Sequence, residues 1–193
     1  MQPLFVDIHT HNPRQDVISP IMCGIHPWDA ASGAQLPDFA GCDIIGETGL
    51  DFACKVDREL QQQLFEAHLN AAQRLHKPIV LHVVRSFEQV MQTLHRYTLC
   101  GVLFHGFIGS TMQMQRCVER GYLLSFGERS LRSARTRECI AQAPTNAIFC
   151  ETDDSPYPAI EQIYNDIAAL RATSVEQLQQ EIYENYKRLI RQR

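Results

Sequence analysis

The sequence predicts an α/β fold built on a parallel sheet. Short apolar runs recur along the chain, and helix-like segments separate most of them. The runs are rich in Val, Ile, Leu and Phe, as strands covered on both faces tend to be. The first is Leu4–Ile8 and the second Ile21–Ile25. Asp43–Ile45 leads into Gly46-Glu47, and Pro78–Val84, Gly101–Phe104, Tyr122–Phe126 and Ala147–Cys150 follow. Between them, Asp57–His76 sets Leu60, Leu64, Ala67, Ala71 and Leu75 at three- and four-residue steps, the spacing of an amphipathic helix. Ser86–Tyr97, Ser110–Arg120 and Arg132–Gln142 fit the same role, with Ser86 and Ser110 at N-cap positions. Pro158–Arg171 and Ser174–Arg191 read as closing helices, the second opening on the capping box Ser174-Val175-Glu176-Gln177.

About seven strands invite a β/α barrel, which typically takes ~250 residues and has its lower limit near about 200. This chain has 193. Only Asn12–Pro20 separates the first run from the second, too short for the usual crossover helix. The expected barrel is therefore incomplete or distorted near its first strands, with a doubly wound open sheet as the competing architecture. The length and the 45% hydrophobic content suit a single domain over residues 1–193.

Formal charge is 18 minus 22, or −4, which argues against a polybasic nucleic-acid binder but leaves room for local basic patches. No apolar run approaches the ~20 residues of a membrane-spanning helix, and the first residues lack the pattern of a secretory signal. The seven cysteines are scattered without a C-x-x-C pair, a pattern of free thiols in a reducing compartment. The expectation is a cytoplasmic protein with no membrane partner and no obligate protein partner.

The polar residues at the strand ends say more. Asp7-Ile8-His9-Thr10-His11 ends the first run, and strand alternation points Asp7, His9 and His11 to one face. Glu47 follows the third run, His82 lies in the fourth, His105 ends the fifth and Glu151-Thr152-Asp153-Asp154 ends the seventh. Parallel α/β folds bind ligands outside the carboxyl ends of their strands, so these residues are expected to converge on a metal site. Imidazole and carboxylate donors without a thiolate group suit Zn²⁺, Mn²⁺, Ni²⁺ or Mg²⁺. The set exceeds one closed structural zinc site, and the surplus is what a two-metal hydrolytic centre needs, with one carboxylate bridging the ions and a bound water activated as nucleophile. The sequence has no Gly-rich nucleotide loop, serine nucleophile elbow or phosphate-binding loop.

His68, His76 and His95 fall on helices and read as solvated or edge positions. His26, in Gly24-Ile25-His26-Pro27-Trp28-Asp29, ends the second run and is expected to touch substrate. Arg129, Arg132, Arg135 and Arg137 follow the sixth run, either as a phosphate cradle or as a solvated helix face, and Arg85 joins them as a candidate. Trp28 and Phe107 are the rings placed to stack on a base.

The blocks Phe5-Val6-Asp7-Ile8-His9-Thr10-His11, Gly24-Ile25-His26-Pro27-Trp28-Asp29, Ile45-Gly46-Glu47-Thr48-Gly49-Leu50-Asp51-Phe52, Lys77-Pro78-Ile79-Val80-Leu81-His82, Phe104-His105-Gly106-Phe107 and Glu151-Thr152-Asp153 together resemble the TatD-like metal-dependent hydrolases. They stand in that family's order. The resemblance implies a TIM-barrel-like fold, one or two divalent metal ions and hydrolysis, commonly deoxyribonuclease action on phosphodiesters. It assigns His9, His11, His82, His105 and Asp153 as metal ligands and Glu47 as the carboxylate that bridges or holds a second ion. Asp153 would also orient the attacking water, which makes Asp153 and Glu47 the catalytic pair. Family members have also been linked to removal of misacylated amino acids from tRNA; an ester or amide hydrolase, such as an aminoacyl-tRNA deacylase, is the alternative, and an inactive metal-binding protein the third reading. The sequence departs from the pattern in its short segment after H-x-H, in Val83-Val84-Arg85 after His82, and in the direct passage from Asp153 through Asp154-Ser155-Pro156-Tyr157 to helices. A compact or divergent substrate mouth is the expectation.

Overall fold

The computed structural model describes residues 5–33, 35–155, 157 and 159–191. Leu4, Pro156 and Pro158, which the sequence reading includes in its first run, its post-Asp153 segment and its sixth helix, lie outside the described residues. The chain opens with β1 (Phe5–Val6), β2 (Val17–Ile18) and β3 (Met22–Cys23), then a 3-10 segment over Pro27–Ser32. Next come β4 (Ile44–Asp51), α1 (Arg58–Leu75), β5 (Ile79–Val84), α2 (Phe87–Leu94), β6 (Val102–Phe104), α3 (Thr111–Glu119) and β7 (Leu123–Phe126). α4 (Glu128–Arg132), α5 (Ala134–Gln142), β8 (Ile148–Cys150), α6 (Ile160–Leu170) and α7 (Val175–Arg191) complete the order.

These elements form two compact units. One joins the described part of the first 19 residues to His105–Arg191, and the other runs from Pro20 to Phe104. In the second, β3, β4, β5 and β6 pair in sequence order, every ladder parallel. Ile44, Ile45, Leu50, Ile79, Val80 and Leu81 are buried, with Phe65 and Leu69 of α1 among the core residues of the same unit. In the first unit β1 pairs with β2 and β7 with β8, again parallel. The amide of Ile8, just past β1, donates to the carbonyl of Cys150 at 3.1 Å. Phe126, Ile148 and Phe149 are buried in this unit, as are Tyr164 and Ile167 of α6 and Leu178 and Ile182 of α7.

Several sequence expectations shift in detail. The short segment Asn12–Pro20 carries β2, a strand of two residues that the sequence reading did not single out. Helix α1 is capped by Asp57, whose carboxylate accepts from the amides of Glu59 and Leu60. Its buried face is Gln61, Phe65, His68, Leu69, Ala71 and Ala72, whereas Leu60 and Leu75 are exposed. Hydropathy scores Gln61 and His68 as polar, yet both find backbone partners inside, and that turns the stripe. Ser110 forms the expected capping box with Gln113, and the Ser174 hydroxyl accepts from the Gln177 amide. Ser86 does not cap α2 with its side chain; its hydroxyl donates to the Leu50 carbonyl at 2.6 Å. The helix expected over Arg132–Gln142 is two helices, because Ser133 takes an extended conformation and caps α5.

Candidate metal centre

The H-x-H segment does not lie on a strand. β1 ends at Val6, so alternation does not reach the histidines, and a backbone bridge places them instead. Thr10 pairs with Asp153 in parallel: the Asp153 amide donates to the His9 carbonyl at 3.0 Å, and the His11 amide donates to the Asp153 carbonyl at 2.9 Å. Asp153 takes φ 58°, a left-handed conformation in which Asp is enriched among non-glycine residues. The result is a trio. Nε2 of His9 lies 3.5 Å and Nε2 of His11 3.7 Å from Oδ1 of Asp153. His9 is buried and His11 exposed, so one side of the trio opens to water. The His105 ring stands 4.4 Å from that of His9, with its Nδ1 3.5 Å from Oε1 of Glu151.

Two buried carboxyls stand behind these donors. Glu151 accepts from the Ser125 hydroxyl at 2.5 Å, which fixes the carboxylate facing His105. Asp7 accepts the backbone N–H of Thr152 at 3.0 Å and its hydroxyl at 2.6 Å. Burial pushes the Asp7 carboxyl up to about 7, against those hydrogen bonds. Asp7 thus ties the two donor segments together and is not one of the trio.

The Pro20–Phe104 unit carries its own donors. β4 holds both Glu47 and Asp51, and its pairing with β5 slips by one residue between Ile45 and Thr48. A bulge of this kind re-aims the side chain it carries, here Glu47. Gly46 and Gly49 take φ 138° and 141°. A β-carbon at Gly46 would meet the Val80 carbonyl oxygen at 2.6 Å, and one at Gly49 the His82 carbonyl oxygen at 2.1 Å. Only glycine lets β4 approach β5 so closely. Oε1 of Glu47 lies 2.6 Å from Nδ1 of His82 and 3.4 Å from Nε2 of His26. Nε2 of His82 lies 3.4 Å from Oδ2 of Asp51. Burial pushes Asp51 up, but hydrogen bonds from Trp28, Ala53 and His82 outweigh it and hold the carboxyl below the usual range.

The sequence predicts His26 as a substrate contact; the structure sets it among donors, beside Glu47 and His82. The sequence groups Asp7 and Glu151 with the residues expected to converge but gives neither a role of its own, and it gives Asp51 none, although the even spacing of Glu47 and Asp51 along one strand is a signal that they share a face. His68 is no solvated residue. It is buried, its Nδ1–H donates to the Leu64 carbonyl at 2.8 Å, and its Nε2 accepts the Ile25 amide at 3.0 Å, next to His26. His76 and His95 are exposed as expected.

The arginines divide. Nη1 of Arg129 lies 3.8 Å from Oδ2 of Asp153, and its Nη2 lies 3.2 Å from Asp154. Arg132 pairs with Glu128 one turn back on α4, and Arg135 donates to Gln113. Arg85 is exposed at φ 52° between β5 and α2. Phe107 is buried and presents no ring to a ligand; Trp28 is 58% exposed.

The donor chemistry fits a divalent cation. Two bonds of about 2.1 Å at a tetrahedral angle set their donor atoms about 3.4 Å apart. The His9–Asp153, His11–Asp153 and His26–Glu47 spacings fall at 3.5, 3.7 and 3.4 Å. The 2.6 Å between His82 and Glu47 is instead a hydrogen bond.

Comparison with known proteins supplies the lineage. The chain is 36% identical over 119 residues to the uncharacterized metal-dependent hydrolase YjjV of Escherichia coli strain K12, covering 59% of this chain and 46% of that protein. It is 32% identical over 153 residues to the 3'-5' ssDNA/RNA exonuclease TatD of Citrobacter rodentium, covering 69% of this chain and 56% of the relative. The chain thus spans about half the length of these curated relatives. The crystal structure of YJJV, a TatD homologue from Escherichia coli K12, superposes with a TM-score of 0.80 over 98% of each chain at 21% identity. That likeness shows the fold, a TIM-barrel-like α/β architecture with parallel strands. Residues 10–191, all but the ends, match the TatD related DNase family, and the chain belongs to it.

Proposed function

We propose that the chain is a divalent-metal-dependent hydrolase that cleaves phosphodiesters, acting as a nuclease. The observation that carries this reading is Arg129: its guanidinium stands 3.8 Å from the Asp153 carboxylate of the donor trio, with its side chain 66% exposed. A cation beside the donors suits phosphate oxygens, which guanidinium binds in a bidentate manner. The name of the TatD relative as a single-strand exonuclease supports the same class of substrate.

In this reading His9, His11, Glu47, His82, His105 and Asp153 hold one or two divalent ions, of which Zn²⁺, Mn²⁺, Mg²⁺ and Ni²⁺ all suit the donors. The cation supplies activation of water and of the phosphoryl oxygen. Asp153 accepts a hydrogen bond from the attacking water and takes its proton. Glu47, hydrogen-bonded to His82 and beside His26, holds the second cation position. Arg129, with Arg85 and Arg132 as further candidates, binds phosphate, and His26 orients the substrate next to Glu47. The chain works as one catalytic domain on a nucleic-acid strand in the cytoplasm.

The test is release of nucleotides from end-labelled single-stranded DNA with each of the four cations, alongside hydrolysis of an aminoacyl ester. Cation-dependent cleavage of DNA alone is the expected result. Cleavage of the ester with DNA left intact overturns the phosphodiester assignment.

A further inference from the structure

We infer that Trp28 is a stacking platform for one nucleobase, held in place by Asp51; this rests on the nuclease reading and specifies how that site grips its strand. Tryptophan at a surface ordinarily buries its apolar body and leaves its polar edge in water. Trp28 does the reverse. The indole N–H donates inward to Oδ2 of Asp51 at 2.7 Å, while 58% of the residue stays exposed. Asp51 is itself fixed, since its Oδ1 accepts the amides of Ala53 and Cys54 at 2.8 and 3.2 Å.

The backbone is held as well. The Trp28 amide donates to Nδ1 of His26 at 3.2 Å, and His26 caps the 3-10 segment that Pro27 begins and that carries Trp28. The His26 ring meets the indole edge to face, 4.5 Å between centroids at 76°, and the His82 ring lies 6.0 Å away. A large apolar ring is therefore pinned by its edge, kept in water, and set beside the donors His26, Glu47 and His82. Nothing about core packing calls for that arrangement. A flat aromatic ligand does, because every base offers a π-face and a ring already held in place loses little freedom on binding. The class of ligand is the base of the nucleotide next to the bond that is cut.

Trp28 is the one tryptophan in the chain, so intrinsic tryptophan emission reports on it alone. Two substrates separate the roles: a short oligothymidylate and an abasic oligomer with the same number of phosphates. Oligothymidylate should quench the emission in a saturable way, and the abasic oligomer should not. The ratio of kcat/KM for oligothymidylate over the abasic oligomer should fall about tenfold in Trp28→Ala, within the range of base–aromatic stacking, and mostly recover in Trp28→Phe. A loss by the same factor on both substrates means that Trp28 acts only through Asp51 and His26, which overturns the inference. Equal quenching by both oligomers overturns it too. If the unaltered protein cleaves neither oligomer, the nuclease reading fails, and quenching by the intact oligomers then decides the stacking role on its own.

Discussion

Asp153 meets two demands at one position. Its backbone bridges the H-x-H segment, and its carboxylate faces both imidazoles. Asparagine tolerates the same left-handed φ, so Asp153→Asn keeps the bridge and removes the charge. Turnover should drop by at least ~100-fold with an unchanged circular dichroism spectrum. Asp154 pairs with exposed Arg129 and faces water, so Asp154→Asn should do less damage. An inactive Asp154→Asn beside a near-normal Asp153→Asn reverses the two roles. Glu151→Gln keeps the volume behind His105 but loses the charge. With His105 as a ligand in the proposed centre, it should weaken cation binding by about 10- to 100-fold in a calorimetric titration. His68 supplies a pH signature. Burial holds its pKa below the ordinary 6.5, against the Leu64 hydrogen bond, so the unfolded chain takes up that proton first. Stability from His68 is full above about pH 6.5 and is lost as pH falls below it, towards the lower folded value. Urea midpoints at about pH 5 and pH 7.5 should therefore differ less in His68→Gln than in the unaltered protein, and an unchanged difference removes His68 as the cause.

Strand β4 concentrates the constraints at the next scale. Its bulge, its two glycines and its two carboxylates all fall within Ile44–Asp51. Gly49→Ala adds a methyl where a carbonyl oxygen stands at 2.1 Å and forces alanine to φ 141°. Strain and overpacking together should lower stability by about 2–5 kcal/mol, read as a shift in the denaturation midpoint. A neutral Gly49→Ala means that β4 and β5 are free to move apart. The same strand shows what a sequence discloses. Polar residues in or just after apolar runs follow a regular pattern, so Glu47, His82, His105 and Asp153 are legible as a set, although Glu47 and His82 lie inside β4 and β5 and not at their ends. The groups that hold them are not. Asp51, Glu151 and His68 act through hydrogen bonds to residues far along the chain, and hydropathy counts them simply as polar. Helix α1 illustrates the limit: its apolar spacing is plain, but Gln61 enters the core because its side-chain amide bridges the Asp51 and Val56 carbonyls. β2 is missed because two residues carry no period at all.

For the whole molecule, cation binding and folding stability are linked. An ion that binds only the folded chain stabilises it by about 2.7 kcal/mol at a hundredfold excess over its Kd. Melting temperature should rise with Mn²⁺ or Zn²⁺ and return to its starting value on chelation, and Asp153→Asn should shrink the rise. A melt indifferent to all four cations removes the metal reading. Among the described residues, no helix is long and apolar enough to cross a membrane. One earlier element also governs the order of assembly. β1 has only two residues, and the Tyr164 hydroxyl on α6 accepts the Val6 amide at 3.2 Å and donates to the Val6 carbonyl at 3.0 Å. That hydroxyl stands in for a neighbouring strand, and it is placed 158 positions later in the chain. During synthesis on the ribosome, the opening segment must wait for α6 to emerge before its backbone is satisfied. Until then the histidines of the H-x-H segment ride on an unfinished edge, so this group of donors is among the last parts to mature.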